Sequence, residues 1–277
     1  MKKIALVAAS MLIAGSASAA DLSYPVKAAP APEPAPLWDV AFGTKLTTDY
    51  VFRGITQTNG NAAVQGYAEL QAFDWVYAGI WASNVSFLYS GSAEIDLYGG
   101  LRHTWDNLTL DLGFVYYAYP GGTNYTVFPA WKDTDYNYWE IYFKPTYVWD
   151  IVTIGGNLFY GDSYAGSGAS ETYLSGTLKV DFSKWSTVKD VGFYASGEVG
   201  YQWLGTTTAY LVNYAMPDYT TWNVGVGFTY KAATLDFRYW GSDLNSNQCF
   251  DISASTGACG DRYVASLSFD TAFSKLK

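Results

Sequence analysis

The sequence predicts an all-β protein, a transmembrane up-and-down antiparallel β-barrel of about twelve strands with short periplasmic turns and long extracellular loops. Three observations predict it. Segments of about ten residues alternate strictly between apolar and polar side chains, the signature of a strand with one face in hydrocarbon and one in water. The connections alternate between very short and long, which sorts short turns to one end of an even-stranded barrel and long loops to the other. Tryptophans gather near the two strand ends, as in the aromatic girdles at membrane interfaces. Of the 277 residues, 18% are aromatic and only 15% charged, a poor composition for a soluble domain.

The N-terminus comes first. Met1-Lys2-Lys3 is a basic start, Ile4 to Ile13 a short apolar run, and Ala17-Ser18-Ala19 an A-x-A cleavage site. Residues 1–19 therefore read as a secretory signal peptide. No Cys follows the site, which excludes a lipoprotein anchor. Residues 20–37, with Pro25, Pro30, Pro32, Pro34 and Pro36, read as an extended Pro/Ala-rich periplasmic linker. Residues 38–277 form the outer-membrane barrel. The formal charge of −9 becomes more negative by two once Lys2 and Lys3 are removed. An acidic chain without a basic patch is a poor candidate for binding nucleic acid, and no such partner is expected.

Twelve strands follow, at approximately 38–50, 62–72, 75–86, 93–105, 108–118, 137–149, 152–162, 170–182, 191–203, 219–230, 233–241 and 262–273. The hairpin at 94–118 is the clearest. Ile95, Leu97, Leu101 and Trp105 share one face and Glu94, Asp96, Arg102 and Thr104 the other, and the chain reverses at Asp106-Asn107. Phe73-Asp74, Asp150-Ile151 and Lys231-Ala232 are the matching short turns, and 183–190 is the longer member of that set. The long connections are 51–61, 87–92, 119–136, 163–169, 204–218 and 242–261. Trp38, Trp75, Trp105, Trp149 and Trp185 mark the short-turn girdle; Trp139, Trp203 and Trp222 mark the other. Strand 75–86 is ambiguous, with apolar residues on both faces. The last strand, 262–273, sets Tyr263, Leu267, Phe269 and Phe273 toward lipid and looks like the C-terminal signal read by the barrel-assembly machinery. Cys249 and Cys259 lie in one polar segment of an exported chain and should form a local disulfide.

The inward parity carries twelve acids, namely Asp39, Asp49, Glu69, Glu94, Asp96, Asp111, Glu140, Glu171, Asp181, Glu198, Asp236 and Asp270. It carries six bases, Lys45, Arg102, Lys144, Lys179, Arg238 and Arg262. A dry core could not hold so many ionisable groups. A lumen with an acidic excess suggests a water-filled, cation-favouring path for small solutes, by analogy with acidic rings in cation pores. The bland alternative is that the charges only cross-link the barrel.

The run Asp49-Tyr50-Val51-Phe52-Arg53-Gly54-Ile55-Thr56-Gln57-Thr58 is the most distinctive in the chain. With it go Ala63-Val64-Gln65-Gly66, Gly79 to Phe87, and Glu94 to Gly100. Together they resemble the TorF family of porin-like outer-membrane proteins, over roughly residues 38–105. The resemblance implies an outer-membrane barrel and a pore, and supplies no substrate or cofactor. Read physically, Arg53 shares the parity of Lys45 and Asp49, so it is expected at the outer mouth, forming a charged constriction with Asp49, Glu94 and Asp96. The plainer reading is that Arg53 ties the first long loop to the wall.

Two further classes compete with a channel. A lipid-acting barrel enzyme needs a His and a Ser together on the outer wall. The single His is His103, and two residues on stands Trp105. No nucleophile elbow, H-E-x-x-H or P-loop occurs. A structural or adhesive barrel would use its long loops, of which 119–136 (Tyr125, Phe128, Trp131) is aromatic-rich.

Overall fold

The computed structural model describes residues 37–87, 91–122, 136–208 and 213–276. The expected signal peptide, nearly all of the expected linker, and Tyr125, Phe128 and Trp131 lie outside the described residues.

Period-two alternation has the expected result: twelve strands close into one antiparallel barrel. Its wall is β1 (Trp38–Thr47), β4 (Ala63–Ala72), β5 (Val76–Asn84), β6 (Ala93–Trp105), β7 (Leu108–Ala118), β8 (Tyr138–Trp149), β9 (Val152–Gly161), β10 (Glu171–Asp181), β11 (Val191–Leu204), β12 (Tyr219–Tyr230), β13 (Ala233–Ser242) and β14 (Arg262–Ala272). Each strand pairs with its sequence neighbours, and β1 closes the ring by pairing with both β4 and β14. Ala41 faces Glu69 on one side and Ala272 on the other. Closure leaves no edge, which hydrocarbon requires. Two short strands, β2 (Val51–Phe52) and β3 (Ile55–Thr56), pair only with each other, outside the wall.

The outer face is built from side chains such as Leu97, Leu112, Ile141, Leu178, Val224 and Phe237, all exposed. Leu112 is 58% exposed with no protein over it. Every charged side chain within the twelve wall strands takes the inward parity. That division of surface is what a bilayer selects, and it makes the barrel a transmembrane one. Trp38, Trp75, Trp105, Trp149 and Trp185 lie exposed around the short-turn end.

The turns follow local chemistry. Asp106 and Asp150 begin two-residue turns at φ of 52°, a left-handed conformation that the short Asp side chain tolerates. Phe73 and Asp74 both take positive φ, at 56° and 59°. Strand β5 resolves its own ambiguity: Tyr77 and Trp81 face in and are buried, while Val76 and Ile80 face out. Inward glycines make room for such rings. A Cβ on Gly79 would lie 2.5 Å from the Tyr98 ring and 2.9 Å from the carbonyl oxygen of Ala68.

Two departures from expectation concern the outer end. The first strand stops at Thr47 rather than residue 50, because the Thr47 hydroxyl donates to the Asp49 carbonyl at 2.8 Å and the chain turns inward. Loop 242–261 contains a helix, α1 (Ser246–Ser253), whose N-cap Asn245 forms a capping box with Gln248. The disulfide Cys249–Cys259 forms, with a Cα–Cα distance of 5.8 Å, and staples α1 to the mouth.

Candidate functional site in the barrel lumen

Residues 48–62 fold into the outer mouth as a hairpin. Asp49 is its hub. Its carboxylate accepts the Thr56 hydroxyl at 2.5 Å and the Thr58 hydroxyl at 2.8 Å, and pairs with Arg262 on β14 at 3.3 Å. The reversal falls at Arg53-Gly54, with φ of 45° and 81°. A non-glycine residue at positive φ is uncommon, and Arg53 is held there by what its side chain reaches.

One side of the hairpin leans on β5–β7. The Tyr50 hydroxyl donates to Glu94 at 2.8 Å, and the Tyr50 ring packs edge-on against Trp81 at 5.4 Å. Phe52 packs edge-on against Tyr117. The tip crosses to the opposite wall. Arg53 Nη2 bonds both oxygens of Glu140, at 2.8 and 2.9 Å; Nη1 bonds Glu171 at 2.9 Å and the Gln202 amide oxygen at 3.0 Å. The guanidinium also lies over the rings of Phe159 (4.9 Å) and Tyr173 (4.5 Å) on the wall, and of its own neighbour Phe52 (4.7 Å). Tyr117 donates to Glu140 at 2.7 Å from the other side. The side chains of Arg53, Glu140 and Glu171 have no exposed surface. Removing a guanidinium from water is costly, and the carboxylates and ring faces offset that cost only together.

The expected Arg53–Glu94–Asp96 constriction is therefore corrected. Glu94 receives Tyr50, and neither oxygen of Asp96 has a hydrogen-bond partner among the described residues, although the side chain is buried. The hairpin reverses at Gly54, so its base faces β6 while its tip faces β8–β11. Glu140 and Glu171 stand among the inward acids in the sequence. Nothing local marks them as partners of a residue 87 and 118 positions away.

The remaining lumen charges fall into two groups. On the β4–β9 side, Arg102 pairs with Glu69 and Asp111 at 3.0 Å each and stacks on Tyr77, whose hydroxyl donates to Asp111. Lys144 lies 4.0 Å over Tyr142. This half is filled with aromatic rings, Tyr67, Trp81, Tyr117, Tyr138, Tyr142 and Phe159 among them. On the β10–β14 and β1 side, Arg238 pairs with Asp236 and bonds Asn223 at 2.6 Å and Ser196 at 2.8 Å. Glu198 accepts the Tyr173 hydroxyl, and Lys179 lies over Tyr194.

Between these side chains lies a cavity of about 180 Å³, bounded by Trp240 and Val264 toward the loops and by Thr234 and Asp270 toward the turns. Its charged lining is nearly balanced: Lys45, Lys179 and Arg238 against Asp49, Glu198, Asp236 and Asp270. Glu94, Asp96, Glu140 and Glu171 stand outside this lining, and Arg53 pairs with the last two. Above the hairpin tip an apolar cluster of Ile55, Tyr164, Leu204, Met216, Tyr219 and the disulfide closes the mouth. Among the described residues no His, Cys, Asp and Glu cluster could hold a metal ion. His103 stacks on Trp75 at 4.1 Å in the short-turn girdle, with Nδ1 3.1 Å from the Asp74 carbonyl oxygen.

Residues 31–268 match the model of a family described as a bacterial protein of unknown function, Gcw_chp. The chain belongs to the Gcw_chp family. No curated protein matches it. Among solved structures, the Gcw_chp chain is similar to the KdgM porin in complex with disordered oligogalacturonate, at 10% identity and a TM-score of 0.48. That match covers 83% of this chain and 98% of that one. An outer membrane channel from Pseudomonas putida F1 matches at 12% identity and a TM-score of 0.48, covering 89% of this chain and 100% of that one. LpxR from Salmonella typhimurium matches at 10% identity and a TM-score of 0.45, covering 83% and 99%.

Proposed function

We propose that this Gcw_chp protein is a porin-like channel of the bacterial outer membrane for passive diffusion of small hydrophilic solutes, cationic or neutral. The observation that carries this reading is the half-open lumen. A polar, charge-lined cavity runs beside β1 and β10–β14, inside a wall whose strand charges all face inward. A barrel that served only as a rigid wall would gain more stability from an apolar filling, since buried ion pairs stabilise weakly or not at all. Passage requires the hairpin at 48–62 to yield, because Arg53 and Phe52 occupy the mouth. Once it yields, the acids around its seat line the entrance and favour cations.

Export by the signal peptide and insertion through the last strand complete this reading. Tyr263, Leu267, Phe269 and Phe273 present an exposed apolar face on β14 and just beyond it to the assembly machinery and to lipid. The deciding experiment is single-channel recording of the refolded mature protein in a planar bilayer under a salt gradient. Discrete steps with a cation-favouring reversal potential are expected. A silent trace from protein shown to be folded and inserted would reject the channel. One observation favours a second reading in that case, a barrel that binds an external partner: the mouth is covered by a compact disulfide-stapled cluster. Tight binding of a partner to these loops would then support it.

A further inference from the structure

Arg53 does not rest on the wall by general packing; it occupies a shaped receptor. Apart from Phe52, every group around its guanidinium belongs to the barrel. Glu140 supplies both carboxylate oxygens, Glu171 one, and Gln202 an amide oxygen, all within 3.0 Å. Phe159 and Tyr173 offer ring faces. Planar cations are recognised by this combination of forked carboxylates and π-faces. We propose that this seat is a binding site for solutes carrying a guanidinium group, and that such a solute opens the barrel by replacing Arg53. The proposal rests on the channel reading and names the ligand class of its gate.

Two observations point from the seat to a mobile cation. A polar group without a partner lies beside the seat: Asp96 is 1% exposed, with neither oxygen hydrogen-bonded among the described residues. The hairpin is also lightly built. Its two strands share the ladder pairs Val51–Thr56 and Phe52–Ile55 and one further bond, from the Gln57 N–H to the Tyr50 carbonyl at 2.7 Å, and Asn59 and Gly60 at its far end both take positive φ.

The energetics set the concentration. A tethered group competes with an effective concentration of about millimolar or more, so free solute must reach roughly that range to displace it. The solute binds only the vacated seat, and a ligand shifts an equilibrium by that difference in affinity.

The test uses the full mature protein in planar bilayers, with guanidinium chloride against sodium chloride at equal ionic strength, below denaturing concentrations, added from the loop side. At ~10 mM guanidinium the open probability should rise at least severalfold, and the R53A variant should be open without it and unresponsive. Equal open probability of the parent protein in the two salts, with channels present, overturns the proposal and leaves the channel reading standing. A second measurement does not depend on currents. By titration calorimetry, folded R53A in micelles should bind L-arginine amide, and the R53A/E171Q variant should bind it at least tenfold more weakly. Binding without any current would keep the seat and reject the channel. No binding to folded R53A rejects the seat.

Discussion

Arg53 concentrates more consequence than any other side chain in the barrel. Replacing it by Ala leaves Glu140 and Glu171 buried without their counter-ion, a change that costs about 3–5 kcal/mol in comparable sites. The urea midpoint of R53A, followed by tryptophan fluorescence in micelles, should fall accordingly. R53K should recover only part, because an ammonium cannot form the fork that spans Glu140, Glu171 and Gln202. Adding E140Q to R53A should restore stability, because it removes a stranded charge. An R53A protein as stable as its parent would mean that the pairs are geometric accidents. A quieter residue makes a second test. G79V should destabilise the barrel or block its folding, because one neighbour of the new Cβ is the backbone carbonyl of Ala68, which cannot swing away. Gel mobility before and after heating reports the folded fraction.

Among the elements, the wall strands were legible and the mouth was not. Strands such as Leu108–Ala118 announce themselves because Leu, Phe and Tyr alternate with Thr, Asp and Gly over a full membrane span. The hairpin at Val51–Thr56 offers only two residues per strand, too few for periodicity to register. Its one local sign was Arg53-Gly54, a pair poised to reverse the chain, flanked by the hydroxyls Thr56 and Thr58 that lock onto Asp49. Parity places Arg53 inward, but the wall it meets depends on where Gly54 turns the chain. That depends in turn on packing of Ile55 under α1, which no window of sequence contains. The same packing makes a prediction for α1. Opening Cys249–Cys259 releases a constraint worth about 3 kcal/mol in the chain-entropy model. Reductant, or the C249S/C259S variant, should lengthen open times and lower the melting temperature by several degrees. Identical gating with and without the disulfide would separate α1 from the mouth.

At the scale of the whole molecule, the division of charge between inside and outside is what identifies the barrel, and it gives an asymmetric prediction. L112R, which puts a charge on the lipid face, should destabilise the inserted protein by about 2–4 kcal/mol at mid-membrane depth. S268R, on the inner face beside the cavity, should insert normally and alter conductance. Comparable losses from both would contradict the assigned inward and outward faces. The sequence count of inward acids was informative about the barrel and silent about where around the ring each acid stands. Those side chains do face in, but only Asp49, Glu198, Asp236 and Asp270 of them line the cavity, beside Lys45, Lys179 and Arg238. Parity assigns a side chain to a face and says nothing of its position around the ring.

The contacts of Arg53 also have a temporal side. Arg53 is made early, yet the partners that hold it stand 87, 118 and 149 residues later. Neighbouring hairpins of the wall can zip locally, whereas contacts that span most of the chain form slowly because a long loop must close first. The plug can therefore seat only when β8, β10 and β11 are in place. The ring itself closes only when β14 reaches β1, as in the pairing of Ala41 with Ala272. Every copy of the barrel thus passes through a stage in which its wall is largely assembled and its mouth still unstoppered.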